Sequence, residues 1–166
     1  MTRLLGVDLG ERRIGIAVGD TDAGIATPLT TLRRGASPLA DATLIGALAE
    51  ENHADAIVVG LPLHANGDEG VQAVATRTWL DAVAPSLTIP VLLRDERLSS
   101  HVAEQRIGPM KRGRSGGPPS RAQRDAYRAR VDREAAAVIL QDELDARRGL
   151  ATSPSNTDDR TMETNR

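Results

Sequence analysis

The sequence has no cysteine and no phenylalanine, one Trp, one Tyr, and a single lysine among its 21 basic residues. Without cysteine the chain forms no disulfide, thiolate zinc site or iron–sulfur cluster and has no cysteine nucleophile. Any metal must sit on oxygen or imidazole. With so few aromatics it cannot build the platforms on which OB and RRM folds stack the bases of single strands. No run of 18 or more apolar residues occurs, nor a basic and apolar leader with a small-residue cleavage site, so the expectation is a soluble, cytoplasmic protein with no membrane partner. A length of 166 residues predicts one compact core.

Charge is present in both signs but unevenly. Residues 97–130 hold nine Lys or Arg against two acids, a net +7; the rest of the chain, with twelve cations and twenty-one acids, carries −9. A basic block in an acidic protein is the footprint expected for a polyanion, because each cation set on a phosphate releases condensed counterions. A solvated charged loop would look the same by charge alone.

Two apolar runs, Arg3–Leu9 and Ile14–Gly19, flank a short polar connection containing Gly10, which reads as a hairpin. A third strand is predicted from Ile25 to Leu32, with Pro28 arguing for an edge position or a bulge. Ser37 and Pro38 are an N-cap and N1 pair opening a helix to Asn52. Ala56–Gly60 and Ile89–Leu93 are short apolar runs of the kind buried on both faces of a parallel sheet. Helices are predicted over Gly70–Val83, Leu98–Ile107 and Val131–Arg148, with a Gly/Pro-rich loop from Gly108 to Ser120. The pattern is α/β, a mixed five-stranded sheet with helices on both faces. Residues 1–148 are expected to form a single domain and residues 149–166 a disordered tail.

Acids at three places interrupt or end apolar elements, where a charge is costly unless paired or bound to metal. Asp8 lies in the first strand, Asp95 and Glu96 directly follow the last strand, and Asp132 stands at the expected start of the closing helix. Singly, each is explained as a turn, helix-dipole or N-cap residue. Together they can converge at one sheet edge, and carboxylates without Cys or a His cluster select Mg2+ or Mn2+. Two such ions would clamp the attacking and leaving oxygens of a phosphodiester while activating water.

These residues also carry a resemblance. Asp8-Leu9-Gly10-Glu11-Arg12-Arg13-Ile14-Gly15, Val59-Gly60-Leu61-Pro62 with Asn66-Gly67, Asp95-Glu96-Arg97-Leu98-Ser99-Ser100, and Val131-Asp132-Arg133-Glu134-Ala135-Ala136 resemble, in order and spacing, the four signature blocks of the YqgF family. That family, also called RuvX or Holliday-junction-resolvase-like, is associated with pre-16S rRNA cleavage. The resemblance implies an RNase H-like fold, Asp8, Glu96 and Asp132 as catalytic metal-binding acids, and Mg2+ or Mn2+ as cofactor. It also implies that Arg13 and Arg97 bind phosphate or orient the carboxylates, and the basic loop adds Lys111, Arg112 and Arg114 as phosphate contacts. Related resolvases place two carboxylates one turn apart on the last helix, whereas position 135 is Ala here and Glu134 points elsewhere. The expected function is a metal-dependent nuclease maturing the 5′ end of pre-16S rRNA, acting as monomer or homodimer on structured RNA. Holliday junction resolution on branched DNA, a non-catalytic RNA-binding ribosome-biogenesis factor and an actin-like ATPase half are the alternatives.

Overall fold

The computed structural model describes residues 1–97 and 99–152. Strands β1 (Arg3–Leu9) and β2 (Arg13–Asp20) form the expected antiparallel hairpin, closed by the Gly10 amide donating to the Arg13 carbonyl at 2.8 Å. Strand β3 (Ala26–Arg33) pairs with β2 at the sheet edge, and the register slips between Ile16 and Ala17, opposite Pro28. Proline brings both the edge position and the bulge, because it has no N–H to give a ladder. Strands β4 (Ala56–Pro62) and β5 (Val91–Glu96) add in parallel, giving the order β3-β2-β1-β4-β5.

Side-chain alternation sends β1, β2 and β4 residues to two faces. On one, Leu5, Val7, Ile14, Ile16, Ile57 and Val59 pack against helices α1 (Pro38–Glu51) and α2 (Val71–Val83). Helix α1 is capped as expected, the Ser37 hydroxyl accepting from the Ala40 amide at 3.3 Å. The same core encloses Asp41, fully buried, which accepts from Trp79 Nε1 at 2.9 Å, Arg34 Nε at 2.9 Å and the Gly35 amide at 2.6 Å. A buried carboxylate needs such partners to offset its desolvation.

On the other face Leu4, Ala17 and Val58 meet Ala136, Ala137, Ile139 and Leu140 of helix α4 (Arg121–Thr152), with α3 (Ser99–Ile107) packed alongside it. Small residues let α4 lie close. A Cβ built on Gly6 would stand 2.9 Å from the Ala136 carbonyl oxygen, and one on Gly15 would run into the Asp132 carbonyl.

Two boundaries differ from expectation. Helix α4 begins at Arg121, ten residues before Val131, and runs through Arg148 to Thr152. Residues 121–126 are exposed and so carry no apolar period, but the helix is started by a capping box: Ser120 Oγ accepts from the Gln123 amide at 3.2 Å and Gln123 Oε1 from the Ser120 amide at 2.8 Å. Asp132 is therefore not an N-cap but lies three turns inside the helix. Strand β5, expected over Ile89–Leu93, extends to include Asp95 and Glu96, which therefore end a strand rather than open a helix. The expected tail from residue 153 onward lies outside the described residues. Among the described residues no helix is long and apolar enough to cross a membrane.

Candidate active site

Alternation along the strands decides which acids meet. In β1, Asp8 shares the α4 face with Leu4 and Gly6 and pairs in register with Gly15, directly beneath the Asp132 backbone. In β5, Glu96 points to the same face: its Oε2 and the Ile139 side chain crowd the position a Cβ on Gly60 would take, at 2.6 and 2.5 Å. Asp95, its neighbour, is exposed and near enough to Arg77 of α2 to favour that cation's charged form.

Burial, with repulsion from Asp132 added, pushes the Asp8 carboxyl up to about 7. Burial first, then the charges of Asp8 and Asp142, push Glu96 up to about 8. Glu96 Oε2 is buried with no hydrogen-bond partner. Two neighbouring carboxyls that resist ionisation, one with an orphaned oxygen, form a site short of positive charge. Oxygen donors of this kind fit a hard divalent cation.

Asp132 belongs to the cluster by its repulsion on Asp8, yet its side chain is turned to Arg13, whose Nε donates to Oδ2 at 2.6 Å. As placed, no three Asp, Glu or His side chains among the described residues surround a single point where an ion would sit. Asp8 and Glu96 are the neighbouring acids at the centre of the cluster, and Asp132 is held to Arg13 beside them. Glu134 does point away, accepting from Arg106 of α3 at 3.1 Å.

Of the expected phosphate contacts, Arg13 is in the cluster through Asp132. Arg97 lies beside the loop after β4, where its Nη2 would stand 3.1 Å from a Cβ on Gly67, a residue with φ +89°. Lys111, Arg112 and Arg114 are not brought to the acids. They lie in the loop between α3 and α4, Lys111 beside Tyr127 and Arg130, Arg114 beside Ser115 and Ser120. Sequence reasoning missed Asp142, which has no signal beyond being one more helical acid. It also missed the packing role of Gly6.

A carboxylate cluster at the carboxyl ends of β1 and β5, backed by a long helix across a sheet of this order, defines a nuclease of the RNase H-like fold. The fold agrees with that of T. thermophilus RuvC in complex with Holliday junction substrate, which matches at a TM-score of 0.51 and 15% identity over 89% of this chain and 97% of that one. In sequence, a relative from Chloroflexus aggregans bearing the name of a pre-16S rRNA nuclease is 43% identical over 145 residues, 87% of this chain and 94% of its own length. One of the same name from Anaeromyxobacter dehalogenans is 44% identical over 146 residues, covering 87% and 98%. The profile of the RuvX family, described as Holliday junction resolvase, matches residues 2–146, and the chain belongs to that family.

Proposed function

We propose that this nuclease depends on a divalent cation, Mg2+ or Mn2+, held by Asp8 and Glu96 with Asp132, and that it processes the 5′ end of pre-16S rRNA. The observation that carries the reading is the neighbouring, half-buried Asp8 and Glu96 pair, whose carboxyls resist ionisation and of which Glu96 Oε2 is buried without a partner. The substrate is taken from the relatives that share more than two fifths of the sequence. When bound, the cation supplies a Lewis acid for the phosphodiester and lowers the pKa of attacking water. Asp8 and Glu96 give the site its charge, Arg13 holds Asp132 within reach of it, and Arg97 faces the phosphate backbone. Lys111, Arg112 and Arg114 grip the nucleic acid farther from the scissile bond, while residues 1–148 act as a single domain in the cytoplasm.

Holliday junction resolution is the second reading, favoured by the description of the family itself. Paired cuts need two sites, hence a stable dimer. The deciding experiment presents a labelled pre-16S 5′ fragment and a four-way DNA junction side by side, with Mg2+ or Mn2+, to the wild type and to Asp8→Asn. The expected result is site-specific cleavage of the RNA that the variant loses. Cleavage of the junction alone would replace the proposed substrate, and turnover by Asp8→Asn equal to wild type would overturn the metal site.

A further inference from the structure

Trp79 and Tyr127 are the only Trp, Tyr or Phe residues in the chain. Trp79 is buried in the core and donates to Asp41, so Tyr127 is the one such ring left near the surface, and it lies inside the basic segment, in the second turn of α4. Tyr127 is half-buried and fixed in place. Its hydroxyl donates to the Gly108 carbonyl at 3.0 Å, and its ring packs against the cluster of Ala103, Val131 and Ala135. A ring held in this way loses little freedom when a ligand meets it.

A pocket of about 260 Å³ lies against that ring. Ile107, Pro109, Met110 and Tyr127 form its apolar part, Lys111 and Arg130, both exposed, form its charged part, and no acid lines it. The cations reject a cationic ligand, and the apolar part offers nothing to a bare phosphate. A planar ring carried on an anionic chain satisfies both, and a nucleobase on its phosphate backbone is that combination. The next pocket, of about 440 Å³, shares Gln123 with the first and is lined by Arg114, Ser115 and Ser120, side chains suited to a phosphate. An acidic peptide has the charge but no ring at each step of its chain, whereas every nucleotide has both.

We propose that the pocket between Met110 and Tyr127 takes one unstacked base of the substrate RNA, with a neighbouring phosphate at Arg114 and Ser115. In a duplex the faces of a base are covered by its neighbours, so a pocket of this kind selects a single-stranded or looped stretch. The inference rests on the RNA reading above and deepens it: the basic loop contributes a contact to a base as well as charge.

The test is fluorescence anisotropy of the full chain, in EDTA so that nothing is cut, with two labelled strands of equal charge: a decaadenylate RNA and a ten-phosphate strand of abasic spacers. The wild type is expected to bind the base-bearing strand at least about tenfold more tightly, the scale of stacking one base on an aromatic side chain. Tyr127→Leu, which keeps the apolar packing but removes the ring, should bring the two affinities together without changing their salt dependence, and Tyr127→Phe should keep them apart. Ala126→Leu crowds the same pocket from an exposed position, so it decides the matter if Tyr127→Leu fails to fold. Arg114→Gln should weaken both strands alike. Equal binding of the two strands by the wild type, or a preference that survives both Tyr127→Leu and Ala126→Leu, would overturn the base pocket and leave the RNA reading standing. Binding of neither strand would overturn that reading as well, and capture of a labelled decaglutamate in their place would assign the surface to an acidic protein segment.

Discussion

Asp8 and Glu96 hold their protons far more tightly than the same groups would in an unfolded chain, where they titrate near 4. Such groups favour the folded state fully below that range and cease to do so as pH rises through about 7 and 8, because ionisation then strands like charges in a dry place. The metal-free protein is accordingly expected to melt several degrees lower at pH 9 than at pH 6. Melting curves should show Asp8→Asn flattening that slope and added Mn2+ reversing it, since a ligand bound only to the folded state stabilises it. A slope identical in wild type and variant would remove these carboxyls from the account. Asp41 is the opposite case, an acid whose partners are already in place, and its removal strands Arg34 and the Trp79 N–H. Asp41→Ala should cost about 3 kcal/mol in denaturant unfolding, as breaking a buried pair does. Cleavage by whatever fraction remains folded should stay at the wild-type rate, because Asp41 lies on the far side of the sheet from the cluster.

Helix α4 and the glycines beneath it show what an element-level reading of sequence can and cannot reach. Strands β1, β2 and β4 were legible because unbroken apolar runs are what a doubly covered sheet demands, and Pro28 announced its bulge. The start of α4 was not, since Arg121–Ala126 face solvent and the lone Tyr127 that packs beneath the next turn makes no apolar stripe by itself. The Ser120 and Gln123 pair was the available signal. Nor does a glycine in a strand say what lies above it: Gly15 and Gly60 look alike in sequence but meet different things. A Cβ on Gly15 would strike helix backbone, whereas one on Gly60 would press on the ends of two flexible side chains, Ile139 and Glu96. Gly15→Ala is therefore expected to abolish stable folding, with soluble expression and circular dichroism as the check. Gly60→Ala should fold and lose most of its cleavage through displacement of Glu96. Equal stability losses in the two would contradict this division.

Across the whole molecule, the acids were legible by type and the cluster's second half was not. Asp8, the Asp95–Glu96 pair and Asp132 stood out by interrupting or ending apolar elements, and the resemblance picked Glu96 from its pair, but the Arg13 contact that holds Asp132 exists only once α4 is docked. The basic block runs from Arg97 beside Glu96 through the loop onto the first turns of α4. Replacing Lys111, Arg112 and Arg114 by Gln should weaken RNA binding and flatten its dependence on salt by up to about three counterions, while the rate of the bound complex stays unchanged. An unaltered salt slope in filter-binding titrations would assign these residues to a solvated loop. The contact between Arg13 and Asp132 spans 119 residues of sequence, and that span has a consequence in time. A chain made from its amino terminus can fold the hairpin and β3 early, but Asp132 and the helix that covers the sheet are among the last described segments to be synthesised. The hairpin that carries Asp8 and Arg13 is thus complete long before the helix that covers it, and the face it turns to α4 stays open until that last helix docks.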